Sequence, residues 1–131
     1  MRAEDFDDML DRIFRRVPAR FRRRLKNVAV VVEAEPSARQ LASGGVRLGG
    51  TLLGWYEGRP LTHRSVAESF TLPDRITIFQ GPHERMARDR AHLERIVEQT
   101  LWHEIAHYFG MDEHEVRAAE RKRRQRRLWP H

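Results

Sequence analysis

Two histidines four residues apart, within the segment 102–113, constrain the fold of this chain more than any other sequence feature. On an α-helix, His103 and His107 lie one turn apart on the same face, where both imidazoles can reach a single metal ion. Zinc accepts imidazole nitrogen readily, and a catalytic zinc site uses three protein ligands and leaves one position for water. The pattern therefore predicts a packed helix with a separate face that presents the histidines.

The residues around and after this pair supply the rest of such a site. Gly110 is expected to end the helix, because glycine adopts the left-handed backbone conformation without steric cost. The chain can then return either Glu113 or Asp112 to the metal as a third ligand. Glu104, beside the first histidine, is placed to take a proton from a water molecule at the metal. The predicted ligands of one Zn²⁺ per chain are His103, His107 and Glu113, with Glu104 as the catalytic base.

The whole chain has the size and composition of a single domain. Its 131 residues are enough for one hydrophobic core and hardly for two. It contains no cysteine, which excludes disulfides and thiolate metal sites. The acidic N-terminus lacks the features of a signal peptide, and no uninterrupted apolar segment is long enough to span a bilayer. We therefore expect one domain over residues 1–131 that is cytoplasmic, monomeric and without a membrane partner.

The net charge of +6 is concentrated near the C-terminal end. Six arginine and lysine residues lie between positions 121 and 127, and the charges of the remaining chain sum to zero. We interpret residues 118–131 as the solvated basic end of a helix. A nucleic-acid partner is not expected, although such a tail could attract one.

Apolar periodicity predicts two long helices that pack against the core. The first runs from Phe6 to Val17, with its apolar residues three and four positions apart. The second runs over residues 91–109 and has one apolar residue per turn, at Leu93, Val97, Leu101 and Ile105. Residues 38–42 favour a short helix, residues 84–90 a short helix or an ordered loop, and residues 113–127 a final charged helix.

Three segments have the composition of β-strands. Residues 27–33 are almost continuously β-branched and apolar, which predicts a central strand buried on both faces. Residues 51–57 are a second candidate. Residues 75–80 are a third, and the Gly81-Pro82 pair that follows favours a position at the sheet edge. Together the elements predict an α+β domain with a small mixed sheet packed against helices.

With these residues in view, the sequence resembles the zincin-type metallopeptidases, and more closely a family of very small bacterial zincin-like (metzincin-like) metallopeptidases. The segments 17–21, 53–62 and 72–82 carry the resemblance alongside the histidine motif, so it extends through most of the chain. The resemblance implies a minimal zincin-like fold, a helix that bears two zinc histidines, and a third ligand just after the glycine. It also implies zinc-dependent hydrolysis of peptide bonds in a peptide or protein substrate.

Two positions depart from the pattern of this family. The family usually has aspartate where this chain has Glu113, whose additional methylene changes the reach of the carboxylate. The methionine turn that metzincins place beneath the zinc has no counterpart, because Met111 lies within the motif and only the charged tail follows.

The resemblance further implies that the strand over 75–80 borders the active-site cleft. An extended peptide could pair with the open edge of this strand through main-chain hydrogen bonds. The predicted substrate-binding residues are Ile76, Thr77, Ile78 and Phe79. Tyr56 and His114 are candidates for a further hydrogen bond to the oxyanion. The remaining histidines are interpreted as ordinary surface residues: His63, His83, His92 and His131.

Two other functions fit parts of the pattern. Bacterial rRNA-maturation endoribonucleases also use two histidines four residues apart and a third ligand ten residues after the first, and the basic tail would suit RNA. Their pattern has glycine where this chain has Glu104 and histidine where it has Glu113, so Glu104 favours the peptidase. A metal-binding protein without turnover is the third alternative, because the motif by itself does not establish an open cleft.

Overall fold

The computed structural model describes residues 1–44, 50–58 and 74–110, together with Ala118, Arg121 and Lys122. The elements in chain order are α1 (Ala3–Arg15), α2 (Ala19–Arg22), a 3₁₀ turn (Arg23–Leu25), β1 (Val28–Glu33), α3 (Ala38–Ser43), β2 (Gly54–Glu57), β3 (Asp74–Phe79), α4 (Gln80–Met86) and α5 (Arg90–Tyr108). Helices packed around a small mixed sheet confirm the predicted α+β class.

The three strands have the spatial order β1-β3-β2. β3 pairs in parallel with β1, where Val30 lies opposite Ile76. The other edge of β3 is antiparallel to β2, where Gly54 lies opposite Ile78 and Tyr56 opposite Ile76. β3 is therefore the central strand of this sheet, and the prediction that it has an open edge is wrong. The predicted central strand, β1, instead lies beside it.

The burial of the strands explains this order. Within β3, Arg75 alone is exposed and the other five residues are buried, whereas β1 is mostly half-buried. The Gly81-Pro82 pair does not protect a sheet edge but lies in the first turn of α4. Proline is tolerated there because the first amides of a helix have no intrahelical acceptor. Of the segment 84–90, predicted as a short helix or an ordered loop, residues 84–86 are helical as the end of α4, which begins directly after β3, and Arg90 begins α5.

The hydrophobic core lies where the sheet and the two long helices meet. The predicted apolar row of α5 is buried throughout, and all the buried residues of α1 belong to its predicted row, so both rows are confirmed. Helix α5 also buries five residues outside its row: Ile96, Glu98, Glu104, Ala106 and Tyr108. The core cluster includes Phe6, Met9, Leu10, Ile13, Ile76, Ile78, Leu93, Val97, Leu101 and Ile105. Burying an aliphatic or aromatic side chain fully contributes roughly 1.5–3 kcal/mol, which holds α5 firmly in the fold.

Ion pairs also join α1 to the first half of α5. Arg16 places one guanidinium nitrogen 3.2 Å from the Glu94 carboxylate and another 3.6 Å from that of Glu98. Arg12 contacts Glu94 at 3.7 Å. The Glu98 side chain is only 6% exposed, so its contact is better shielded from solvent than an ordinary surface pair. These contacts supplement the apolar packing between the two helices.

Several predicted features lie outside the described residues. These are the two candidates for the third ligand and three of the other histidines: Glu113, Asp112, His114, His63 and His131. Of the predicted final helix, the structure describes Ala118, Arg121 and Lys122, all helical. Within the described part of the chain, no helix is both long and apolar enough to cross a membrane.

Candidate metal centre

The helix α5 has a defined signal at each end. At its start, the Asp89 carboxylate accepts a 2.7 Å hydrogen bond from the His92 amide, and this bond lowers the pKa of Asp89. At its end, Gly110 has a φ of +76°, a left-handed conformation that glycine adopts freely. The prediction that Gly110 ends this helix is confirmed. Helix α5 therefore ends directly before the segment of the sequence that contains the candidate third ligands.

The structure brings together the two histidines that the spacing predicts. The ring centroids of His103 and His107 are 4.5 Å apart, with the ring planes inclined at 75°. Both residues are half-buried, so their face of α5 is neither part of the hydrophobic core nor fully solvated. Their positions suit a shared metal ion, and their role as ligands stays a prediction.

Glu104 lies beside this pair. Its Oε2 atom is 3.4 Å from Nδ1 of His107, and only 5% of the residue is exposed. The same oxygen is buried and accepts no hydrogen bond from any residue that the structure describes. A buried polar atom without a partner costs free energy, so it marks a place where a donor or a cation would be favourable. The role of this carboxylate as a base beside a metal ion stays a prediction.

Strand β2 approaches helix α5 closely beside Glu104. A Cβ atom on Gly54 would lie 2.6 Å from Cγ2 of Thr100 and 3.2 Å from Cγ of Glu104. Only glycine fits without displacement of one element. Sequence reasoning did not single out this residue, although an isolated glycine within a strand pattern often marks such a contact.

The buried imidazole of His83 links the end of β3 to α5. Its Nδ1 is 2.7 Å from the Phe79 carbonyl oxygen, and its Nε2 is 2.8 Å from the Thr100 hydroxyl. The carbonyl can only accept, so Nδ1 carries the proton of the neutral ring. The Thr100 hydroxyl then has one proton for two acceptors, Nε2 of His83 and the Ile96 carbonyl oxygen at 2.9 Å. Burial lowers the pKa of His83, which favours this neutral form. The prediction of a surface histidine is wrong because α4 turns this side chain inward.

The predicted substrate-binding residues are not on a surface. The side chains concerned are 0% exposed: Ile76, Thr77, Ile78 and Phe79. Both edges of their strand are already paired, so a peptide has no free edge of β3 to join. Tyr56, the suggested oxyanion donor, directs its hydroxyl to the Asp74 carboxylate at 2.5 Å and packs its ring against Tyr108.

The donor set fits a zinc ion. Zinc in catalytic sites takes imidazole nitrogen and carboxylate oxygen, and this helix supplies two imidazoles with a carboxylate beside them. No group of three or more potential ligands is close enough to hold a metal within the described residues. A complete site therefore needs a donor from outside them, and Glu113 and Asp112 lie just beyond Gly110.

Two comparisons with known proteins found a match. A solved structure of a conserved hypothetical protein from Thermo thermophilus is similar, with 26% sequence identity and a TM-score of 0.55 over 83% of this chain and 94% of that chain. No curated protein matches the chain. Residues 25–123, more than half of the chain, match the family model described as "Zincin-like metallopeptidase". The predicted resemblance and the minimal zincin-like fold are confirmed: the chain belongs to the zincin-like metallopeptidase family.

Proposed function

We propose that this protein is a zinc-dependent metallopeptidase that hydrolyses peptide bonds. Membership of the family supports metal-dependent, peptidase-like chemistry. The observation that carries the proposal is the position of Glu104, a buried carboxylate 3.4 Å from His107. One of its oxygens has no hydrogen-bond partner among the described residues. A carboxylate beside a pair of metal-binding histidines is placed to act as a general base.

In the proposed mechanism, His103, His107 and Glu113 would hold one zinc ion. Bound zinc would supply Lewis acidity, which lowers the pKa of a water molecule well below its ordinary value. Glu104 accepts a proton from the attacking water and later donates it to the nitrogen of the leaving amine. Because Glu104 is almost fully buried, the transferred proton is shielded from bulk solvent.

We place the peptide beside β2 rather than along β3. Gly54 approaches Glu104 closely, so a scissile carbonyl that reaches the base lies near this end of β2. Residues 76–79 are then a buried support behind β2 and do not touch the peptide. This placement keeps the substrate class of the sequence prediction and changes the strand that borders the substrate.

A peptide library offered to the wild type and to Glu104→Gln tests this function. Glutamine keeps the shape of the side chain but cannot act as a base, so hydrolysis should fall on the order of 10²–10⁴-fold. Metal analysis should still find about one zinc per chain, whereas His103→Ala should lose both zinc and hydrolysis. Cleavage of single-stranded RNA but not of peptides would assign an endoribonuclease instead. Zinc binding without any cleavage would leave a metal-binding protein without turnover.

A further inference from the structure

Positive and negative charges are segregated in the N-terminal part of the chain. Residues 1–11 contain five acidic residues and one basic residue, whereas residues 12–26 contain eight basic residues and no acidic one. The net charge of zero outside the C-terminal tail therefore includes a strongly basic segment, residues 12–26. Most of this segment precedes residue 25, where the match to the family begins.

The first three cations of this segment have carboxylate partners. Arg12 and Arg16 contact Glu94, and Arg15 contacts Asp11 at 2.7 Å. The next five cations are all exposed, and none of them forms an ion pair with another described residue. We call these five residues the basic surface: Arg20, Arg22, Arg23, Arg24 and Lys26.

The basic surface is attached to the end of α5 that carries the histidine pair. Phe21 packs its ring against Trp102 and Phe109, with centroid distances of 5.7 and 5.8 Å. The Tyr108 hydroxyl donates a 3.2 Å hydrogen bond to the Arg24 carbonyl oxygen. Aromatic packing and this bond therefore hold the basic surface beside the last two turns of α5.

The surroundings of these cations favour a carboxylate-rich partner. Single-stranded nucleic acid is usually held by exposed aromatic faces as well as by charge, but the ring of Phe21 is packed against α5. A membrane surface requires exposed apolar side chains, and the large exposed ones among the described residues are Met1 and Met86, outside this segment. Guanidinium groups, by contrast, bind carboxylates through paired hydrogen bonds without help from aromatic residues.

We propose that the basic surface binds an acidic segment of the protein substrate. The proposal rests on the peptidase function proposed above and adds the chemical class of substrate that the enzyme selects. Bound glutamate or aspartate side chains would hold the substrate beside the end of α5 that carries His103 and Glu104. Clustered cations would also raise the rate at which acidic proteins associate, most strongly at low ionic strength.

Direct binding tests this inference without hydrolysis. The probe is a fluorescein-labelled peptide with six consecutive glutamates, compared with one that has six glutamines, and the protein is Glu104→Gln. The test variant adds Arg23→Gln, Arg24→Gln and Lys26→Gln, whose side chains form no hydrogen bond or ion pair with another described residue. The control variant adds Arg39→Gln, Arg88→Gln and Arg90→Gln, which remove the same number of exposed charges. Arg90 begins α5, roughly 20 Å along the helix from His103.

The test variant should bind the glutamate peptide about tenfold more weakly, as expected from the loss of three exposed ion pairs. Its affinity should also depend less on salt, while the control variant and the glutamine peptide show no comparable change. In the active protein, the same three substitutions should raise KM for glutamate-flanked peptides and leave kcat unchanged. Equal affinities of the test and control variants for the glutamate peptide would overturn the proposal.

Other occupants of the surface would give different results. Loss of binding in the test variant for single-stranded RNA or phosphatidylserine vesicles, but not for the glutamate peptide, would overturn the proposal in favour of that partner. Self-association that the test variant abolishes, without peptide binding, would assign the surface to a second copy. If the protein binds the glutamate peptide but leaves the peptide library uncut, the proposed peptidase function is refuted. If it cleaves peptides but does not bind them through charge, only this inference is refuted.

Discussion

His83 links its protonation state to the stability of the fold. Burial lowers its pKa from the ordinary value of 6.5, and the imidazole is 0% exposed. Below pH 6.5 the unfolded chain takes up a proton at this residue that the folded chain does not. The contribution of the neutral His83 to the free energy of unfolding is therefore fully present above pH 6.5. It is lost as the pH falls, at up to about 1.4 kcal/mol per pH unit.

His83→Phe removes this titration and fills a similar volume. The variant should be less stable than the wild type near neutral pH, because Phe79 and Thr100 lose their buried hydrogen-bond partner. Between neutral pH and about pH 5.5, however, it should lose less stability than the wild type. Urea unfolding at both pH values, with a chelator present, measures the difference. His92→Phe, in the first turn of α5, is the control for replacing a histidine outside the core by phenylalanine.

Among the elements of the fold, β2 and α5 can approach each other closely because residue 54 is a glycine and has no side chain. This contact places a strand next to the turn of α5 that contains Thr100 and Glu104. Thr100 contacts both elements that pack against this turn. Its methyl group faces Gly54 of β2, and its hydroxyl group lies within hydrogen-bond distance of His83 in α4. The geometry of the candidate site therefore depends on β2, α4 and α5 together.

Gly54→Ala should force β2 and α5 apart. Overpacking of this kind costs roughly 1–3 kcal/mol of unfolding free energy, and peptide hydrolysis should fall with it. Thr100→Ser removes the methyl group that the new Cβ would meet and keeps the hydroxyl that contacts His83. A double-mutant cycle by urea unfolding should therefore show that Gly54→Ala costs less in the Thr100→Ser background. Strictly additive effects would contradict this account of the contact.

At the scale of the whole molecule, zinc should stabilise the folded chain, because the unfolded chain does not hold its ligands in place. Free zinc at about 100 times its dissociation constant would add about 2.7 kcal/mol, which raises Tm by several degrees in a domain of this size. Thermal unfolding with zinc or with a chelator measures the shift. His103→Ala should abolish it and His92→Phe should not. An equal shift in His103→Ala would place the zinc elsewhere.

Much of the candidate site could be predicted because its parts are close together in the chain. The helical period of 3.6 residues is local, so the histidine face, the apolar row and the glycine end of α5 all follow from one segment. Family resemblance added the minimal zincin-like fold. Total charge was less informative, because a sum of zero did not distinguish a neutral surface from the segregated charges of residues 1–26.

The sequence by itself thus determined that α5 exists, which residues it buries and where it ends. Only the tertiary structure decided which strand is central, because pairing between β1, β2 and β3 joins segments far apart in the chain. It also decided that His83 is buried, since that depends on Thr100, seventeen residues away. Local periodicity carries no information about such contacts, which arise only when distant segments pack together.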